Sequence, residues 1–453
     1  MSETIVLKKG LNIPLKGEAE QRISKTISAD VVAIRPSDFK GLLPRLLVKE
    51  GDKVLAGSPV LADKKNPAII VASPASGTVK EVVRGEKRKL LAVLIQTDDE
   101  QQYVDFGVHN PDLMSADQIR ETLLASGLWP YLVQRPYGII ADPDITPKAI
   151  FVSAFNSAPL AANAEFALGG EVAWIQRGVA ALGKLTGGGI HLGLSADNCA
   201  STPFHKIEGV VTHVFKGKHP AGNVGVQISH ILPIRKDTTV WTVSLLGLAV
   251  IGRLLATGRY NPRRKVAVTG PLAIEPSYVD ALPGTPMRCL APFVGGAEGE
   301  ARVISGDVLT GENVGMDGYL GFFDSQVTLV REGVERELFG WIRPVRYKQF
   351  STDHCYFSWL TPWRKYDIDT NLHGGPRAFL MNDAYYGKVL PMDIYPLYLT
   401  KACLAGDIDK MEKFGIYEVL PEDLALCEYV DPSKNDIQDI IAKGIDLMLK
   451  EMA

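Results

Sequence analysis

The sequence predicts a multidomain α/β chain: a β-rich N-terminal unit, a largely parallel α/β unit, a small α+β unit and a helical C-terminal unit. Three observations predict it. Short apolar runs broken by turns fill the first hundred residues. Helix and strand patterns alternate from about Asp112. Past Trp341 a Pro- and aromatic-rich stretch gives way to helical periodicity.

In the first unit, Val31–Ile34 and Leu46–Val48 are short apolar runs, and Gly51-Asp52 supplies a turn. Val54-Leu55, Val60-Leu61, Ile69–Val71, Val79–Val83 and Leu90–Ile95 follow, separated by Gly57-Ser58-Pro59, Asn66-Pro67 and Ser73–Gly77. Short strands with this punctuation predict a small barrel or sandwich.

The second unit opens with Ser115 as N-cap of a helix through about Ser126, stopped by Gly127. Ala149–Val152 reads as a buried strand ending in Ser153. Val172, Ile175, Val179 and Leu182 fall at helical spacing, predicting an amphipathic helix ending near Gly187-Gly188-Gly189. Ile190–Leu194, Gly209–Phe215 and Val240–Val243 are strand candidates. The longest apolar stretch, Val240–Ala256, is interrupted by polar residues and Arg253, so it predicts a buried strand leading into a helix rather than a membrane span.

Asn261-Pro262 marks the next boundary. Lys265–Thr269, Val303–Gly311 and Val327–Arg331 predict strands of a small α+β unit. In the last segment Ser433 is a candidate cap for a helix carrying Ile437, Ile440, Ile441, Ile445 and Met448 on one face. A length of 453 residues suits three domains or four small ones, at roughly 100–200 residues each.

Composition removes several classes of function. With 49 Lys+Arg against 52 Asp+Glu, the net charge of −3 and the absence of a basic stretch argue against nucleic-acid binding. Five cysteines are too few for a disulfide scaffold and point to a reducing compartment. Met1–Gly10 has no apolar core of signal-peptide length, which predicts a chain that is not exported.

Local motifs add little chemistry. Gly178–Leu185 nearly matches a phosphate-binding loop, but Leu185 stands where the magnesium-binding hydroxyl belongs, and the helix precedes the motif instead of following it. Gly187–Gly189 with Gly193 has the wrong spacing for a dinucleotide fingerprint. No two cysteines share a metal-binding loop, and His205, His213, His219 and His230 lack ligand spacing, so caps, turns and buried hydrogen bonds are the better reading. The loop His219-Pro220-Ala221-Gly222-Asn223-Val224-Gly225 can bring backbone close to a ligand or simply turn between strands, and both readings stay open.

Val48–Val54 followed by Ser73–Val79 resembles the lipoyl/biotinyl carrier domain. In that family a lysine at the hairpin tip carries a swinging cofactor. Here the hairpin reads Ala62-Asp63-Lys64-Lys65-Asn66-Pro67, out of the expected context, and the two lysines read as solvated.

Other segments, in order along nearly the whole chain, resemble one family. They include Lys8–Leu11, Asp63–Pro67, Arg84–Arg88, Ser126–Trp129, Ala149–Val152, Pro159–Ala162, His219–Gly222, Lys236–Thr242, Ile251–Leu254, Glu337–Trp341 and Glu422–Cys427. The chain is identified as similar to the NqrA family, the A-type component of the bacterial sodium-translocating NADH:quinone reductase. The division this implies is a barrel-sandwich (biotinyl-like) domain over 1–105 and a Rossmann-like α/β domain over 106–260. A β-grasp-like domain over 261–345 and a C-terminal helical domain over 346–453 complete it.

The resemblance implies a peripheral component on the cytoplasmic face of the bacterial inner membrane. It would belong to a six-subunit complex, docked on the membrane-embedded NqrB component, with no transmembrane segment of its own. Related flavoproteins bind FMN and NADH through a Gly-rich loop. The corresponding stretch here, Ser126–Ala141, has only Gly127 and Gly138, so no flavin or NADH site is expected. A relative with two tetracysteine iron–sulfur motifs contrasts with the isolated Cys403 and Cys427, so no cluster or other metal is expected either.

What remains is a contribution to the ubiquinone site, through segments matching Arg35–Leu42 and Leu132–Ile139. Arg35, Phe39, Trp129, Arg135 and Tyr137 are the expected quinone-proximal residues; no residue of this chain is expected to be catalytic by itself. The alternative is a purely structural assembly component with no quinone contact.

Overall fold

A computed structural model describes residues 4–297, 299–333, 346–352, 354, 356–371 and 382–451. The matching segment Glu337–Trp341 and Cys355 lie outside these residues.

The central α/β unit is built on strands β1 (Thr4–Val6), β2 (Val133–Arg135), β3 (Ile139–Ile140), β4 (Ile150–Ser153), β5 (Ile190–Ser195), β6 (Val210–Lys216) and β7 (Val240–Thr242). Their spatial order is β1-β6-β5-β4-β7-β2-β3. The pairs from β1 through β7 are parallel, and β2 and β3 add an antiparallel edge. From β4 the chain builds outward through β5 and β6, then returns to place β7 on the other side of β4. That reversal is a topological switch point, the place in a parallel sheet where crossovers diverge and leave a crevice.

Four helices of this unit follow from their sequences. In α1 (Ala116–Ala125) the Ser115 hydroxyl accepts from the Gln118 N–H at 3.2 Å, and the Gln118 side chain accepts from the Ser115 N–H at 2.8 Å. This reciprocal cap fixes the start that the sequence predicts. Helix α2 (Val172–Leu182) ends earlier than expected, at Gly183. The glycines at 187–189 instead form the turn into β5, where a Cβ on Gly188 would strike the Lys148 carbonyl. Helix α3 (Val224–Ile231) follows β6 through the His219 loop, α4 (Leu245–Thr257) begins just after β7, and Ser244 caps α4 by accepting from the Gly247 N–H at 3.0 Å. Val240–Ala256 is thus a buried strand running into a buried helix.

Helices α2 and α4 cross closely because Gly178 lies on the Leu248 carbonyl and Gly252 on that of Trp174. This explains the near phosphate-loop motif: Gly178 is an interhelical contact, and Lys184 donates to the carbonyls of Pro111, Asp112 and Met114 at 2.7–2.8 Å.

A sandwich of a four-stranded and a three-stranded sheet begins at Val31 and ends at Thr97. The N-terminal residues of the 1–105 unit pair elsewhere. Thr4–Val6 lies parallel to β6, and Ile23–Thr26 joins a six-stranded sheet with Ser277–Ala281, Arg264–Thr269, Gln326–Arg331, Ala301–Ser305 and Glu312–Asn313. Within Val303–Gly311 the strand stops at Ser305. Asp307 accepts from the N–H groups of Leu309 and Thr310 at 2.7 and 3.2 Å, which makes the rest a turn.

The C-terminal residues are helical. In α5 (Ile437–Glu451) Ile437, Ile441, Ile445 and Met448 are buried and Ile440 is half-buried. The first helical bond runs from the Ile440 N–H to the Asp436 carbonyl, so α5 starts beyond Ser433. Among the described residues no helix is long and apolar enough to cross a membrane.

Candidate functional site: a cavity at the sheet switch point

A cavity of about 680 Å³ opens at the carboxyl ends of β4 and β7. Ser153–Phe155 and Thr242–Leu246 form its floor. The N-terminal end of α3, with His219 and Gly222–Val224, forms one side. The six-stranded sheet closes the other through Arg264, Ser305–Asp307 and Gly321–Gln326, and Arg35 and Asp38 of the sandwich form a lip. Three parts of the chain therefore meet at the crevice the topology leaves open.

The acidic groups of the lip are occupied. Arg35 pairs with Asp38 at 2.8 Å and Glu312 at 2.9 Å. Asp38 also accepts from the Phe322 N–H at 3.0 Å, and Asp324 accepts from the Ser305 hydroxyl at 2.5 Å. Burial raises both carboxyls above the ordinary aspartate value, against the pull of Arg35 on Asp38 and of the Ser305 bond on Asp324.

Arg264 and His219 are buried beside the cavity without being saturated, and so is the Nε of Arg35. Arg264 is 4% exposed and donates through Nη2 to the Phe322 carbonyl at 2.5 Å; its Nε and Nη1 have no partner among the described residues. Burial lowers its pKa. His219 is 3% exposed, with Nδ1 at 3.1 Å from the Ser157 hydroxyl. That hydroxyl also accepts from the Gly222 N–H at 2.8 Å. The ring's Nε2 is buried with no partner among the described residues. Burial pushes the ring's pKa down to about 4.

Of the expected site residues, Arg35 alone lines the cavity directly. Phe39 is buried behind its wall, with ring centroids 4.7 Å from Phe322 and 5.5 Å from Phe323. Tyr131 meets the same pair at 5.8 and 5.4 Å. Trp129 is fully buried, donates to the Ala141 carbonyl at 2.7 Å and stands edge-on to Trp241. Arg135 pairs with Asp423 at 3.0 Å and Glu422 at 2.8 Å. Tyr137, at φ 82° in the β2–β3 turn, packs against Tyr417 of the helical unit. These last three hold the fold together and do not line the cavity. The sequence singled out the His219 loop but not Arg264, whose only signal is a basic residue at the head of a buried strand.

The two glycines of Ser126–Ala141 are spent on packing. A Cβ on Gly127 would lie 2.6 Å from the Ala72 Cβ, and one on Gly138 would lie 2.7 Å from Leu420 Cδ1. Side chains of the protein, not open space, face this backbone, so the stretch does not fit a flavin phosphate. His213 is bonded to His191 at 2.9 Å instead of joining the other histidines. No group of three or more metal-ligating residues exists among the described residues. Lys64 and Lys65 are exposed on their hairpin.

Comparison with known proteins adds three family matches: the NqrA N-terminal barrel-sandwich hybrid domain over residues 5–98, the NqrA second alpha/beta domain over 114–260, and the NQRA C-terminal domain over 265–315. Proteins named as the A-type component of a Na(+)-translocating NADH-quinone reductase are similar along the whole chain. The one from Rhodopirellula baltica is 35% identical, over 98% of each chain. The one from Shewanella amazonensis is 36% identical, over 99% of this chain and 100% of that one. A third, from Neisseria meningitidis serogroup B, is 34% identical with the same coverage.

Proposed function

The chain belongs to the NqrA family, a component of the Na(+)-translocating NADH-quinone reductase, an oxidoreductase complex, and from this we propose that it helps form the quinone site while holding no flavin, iron–sulfur or NADH site of its own. It docks on the membrane-embedded NqrB component of a six-subunit assembly, at the cytoplasmic face of the inner membrane.

One observation carries the quinone reading. The Arg35–Leu42 segment meets the switch-point cavity through Arg35 and backs its aromatic wall through Phe39. A crevice with an aromatic wall and a few convergent polar groups suits a planar ring. The packed glycines of Ser126–Ala141 support the absence of a flavin.

Two measurements test this. The isolated chain is expected to be colourless and inactive toward NADH; a flavin absorption band with NADH oxidation would sink the reading. In the assembled complex, Phe39→Leu and Phe322→Leu are expected to raise the quinone KM. Unchanged KM and inhibitor sensitivity would favour the assembly-only role, which the structural duties of Trp129, Arg135 and Tyr137 suit.

A further inference from the structure

We propose that the hairpin tip of the sandwich, Arg84–Lys89, is a contact for an anionic lipid surface, made by Lys87, Arg88 and Lys89 with Arg84 behind them. The inference rests on the peripheral membrane placement proposed above and is independent of the quinone reading.

Strands Gly77–Arg84 and Leu90–Thr97 pair from Gly77 opposite Thr97 to Arg84 opposite Leu90. Their neighbours stop short. Val31–Ile34 pairs only with Val93–Gln96, and Lys53–Val54 only with Gly77 and Thr78. Beyond Val93 the pair is therefore a two-stranded ribbon. Val83 and Ala92 still belong to a small apolar cluster with Tyr319, whereas Arg84, Glu86–Lys89 and Leu91 are exposed.

The turn that closes the ribbon is strained. The Lys89 N–H donates to the Glu86 carbonyl at 3.1 Å, and between them Lys87 and Arg88 both lie in the left-handed region, at φ 52° and 62°. Asn-Gly adopts this mirror-image turn freely; long side chains do not. Lys and Arg are thus held at the tip against a backbone cost, and such strain gathers where function fixes the residue. Arg84 Nη1 donates to the Arg88 carbonyl at 3.3 Å and brings a fourth cation to the tip. Among the described residues none of the four makes an ion pair.

Charge then selects the partner. Four cations within six residues make no basic stretch in the sequence, but the turn gathers them into one patch offset by Glu86. The tip carries +3 in a chain of net charge −3, so the rest carries −6, and an anionic surface attracts this end alone. Lysine on a free edge can instead block pairing with another chain, but that duty belongs to strand positions, and Lys87, Arg88 and Lys89 lie in the turn. A protein partner would ask for an apolar centre, and the tip offers one apolar side chain, Leu91, 45% exposed. An array of cations beside a single aliphatic group suits lipid phosphates at a bilayer surface.

The test sediments the full chain with vesicles of equal parts phosphatidylcholine and phosphatidylglycerol. Binding is expected at low salt, and neither at high salt nor on phosphatidylcholine alone. Lys87→Gln, Arg88→Gln and Lys89→Gln together are expected to weaken it by about a hundredfold, at roughly fivefold per charge. Lys87→Asn with Arg88→Gly removes two charges and gives the turn its preferred residues, so binding should weaken by about 25-fold while Tm holds or rises, which excludes misfolding as the cause. A parent that ignores the anionic vesicles, or an Asn-Gly variant that binds them equally well, overturns the proposal. If the assembled complex loses that variant chain even in phosphatidylcholine alone, the tip meets a protein and the lipid contact is wrong. In each of these cases a parent chain recovered with the membranes of the assembled complex leaves the peripheral placement standing. Its absence from those membranes would overturn both.

Discussion

Arg135 Nη1 lies 3.0 Å from Asp423 Oδ2 across 288 residues of sequence, and both side chains are shut away from solvent. The pair ties the edge hairpin of the α/β sheet to the C-terminal helical unit. Gly225, the second residue of α3, is the reason it fits: a Cβ there would collide with both the guanidinium and the carboxylate. Removing one partner strands a buried charge, so Asp423→Ala is expected to cost about 3–5 kcal/mol in denaturant unfolding. A double-mutant cycle with Arg135→Met should return a coupling of at least about 1 kcal/mol; additive losses would show that the pair contributes little.

The α2–α4 crossing makes a second prediction. Because Gly252 rests on the Trp174 carbonyl, Gly252→Ala forces the two helices apart despite the better helix propensity of alanine. A loss of about 1–3 kcal/mol is expected, read as a lower Tm. An unchanged or higher Tm would mean that the crossing yields easily.

Trp129 separates stability from quinone contact. Trp129→Phe leaves the Ala141 carbonyl without its donor and is expected to cost about 1–3 kcal/mol. The quinone KM of the assembled complex should stay where it was. A raised KM with unaltered stability would return Trp129 to the quinone site.

His219 gives the fold a pH dependence of known sign. Its folded-state pKa of about 4 lies below the ordinary value of 6.5, so between these values the unfolded chain binds more protons than the folded one. The contribution of His219 is complete above about pH 6.5 and is lost as pH falls toward 4, by about 3 kcal/mol in all. In urea unfolding from pH 7 to pH 4 the parent should lose about 3 kcal/mol more than His219→Gln, which has no ring to titrate. Parallel curves would contradict it.

Local chemistry was legible in the sequence where it is decided locally. The Ser115–Gln118 cap and the strand-to-helix run at Val240–Ala256 are written in adjacent residues, and the structure has both. Long-range pairing was not. Thr4–Val6 and Ile23–Thr26 are too short and too exposed to carry a strand signal, and their partners lie more than 200 residues away. The helix at 172–182 stops at Gly183, and Gly188, where the pattern put its end, packs instead against the Lys148 carbonyl, a contact no periodicity reveals.

The site divides in the same way. Arg35 and Phe39 come from one short segment, and the structure brings both to the cavity or its wall. Arg135 and Tyr137, expected near the quinone, are enclosed by acids and a ring of the helical unit, partners almost 300 residues away that the local sequence does not reveal. Arg264 was invisible for the opposite reason. What distinguishes it is a missing partner, and only the packed molecule reveals that.

The central claim is that this chain contributes its switch-point cavity to the quinone site. A structure of the assembled complex with a quinone-site inhibitor bound tests it most directly. The inhibitor ring is expected in this cavity, beside Phe322 and Arg35. An inhibitor held entirely by residues of other components of the complex, with only water in this cavity, would contradict it.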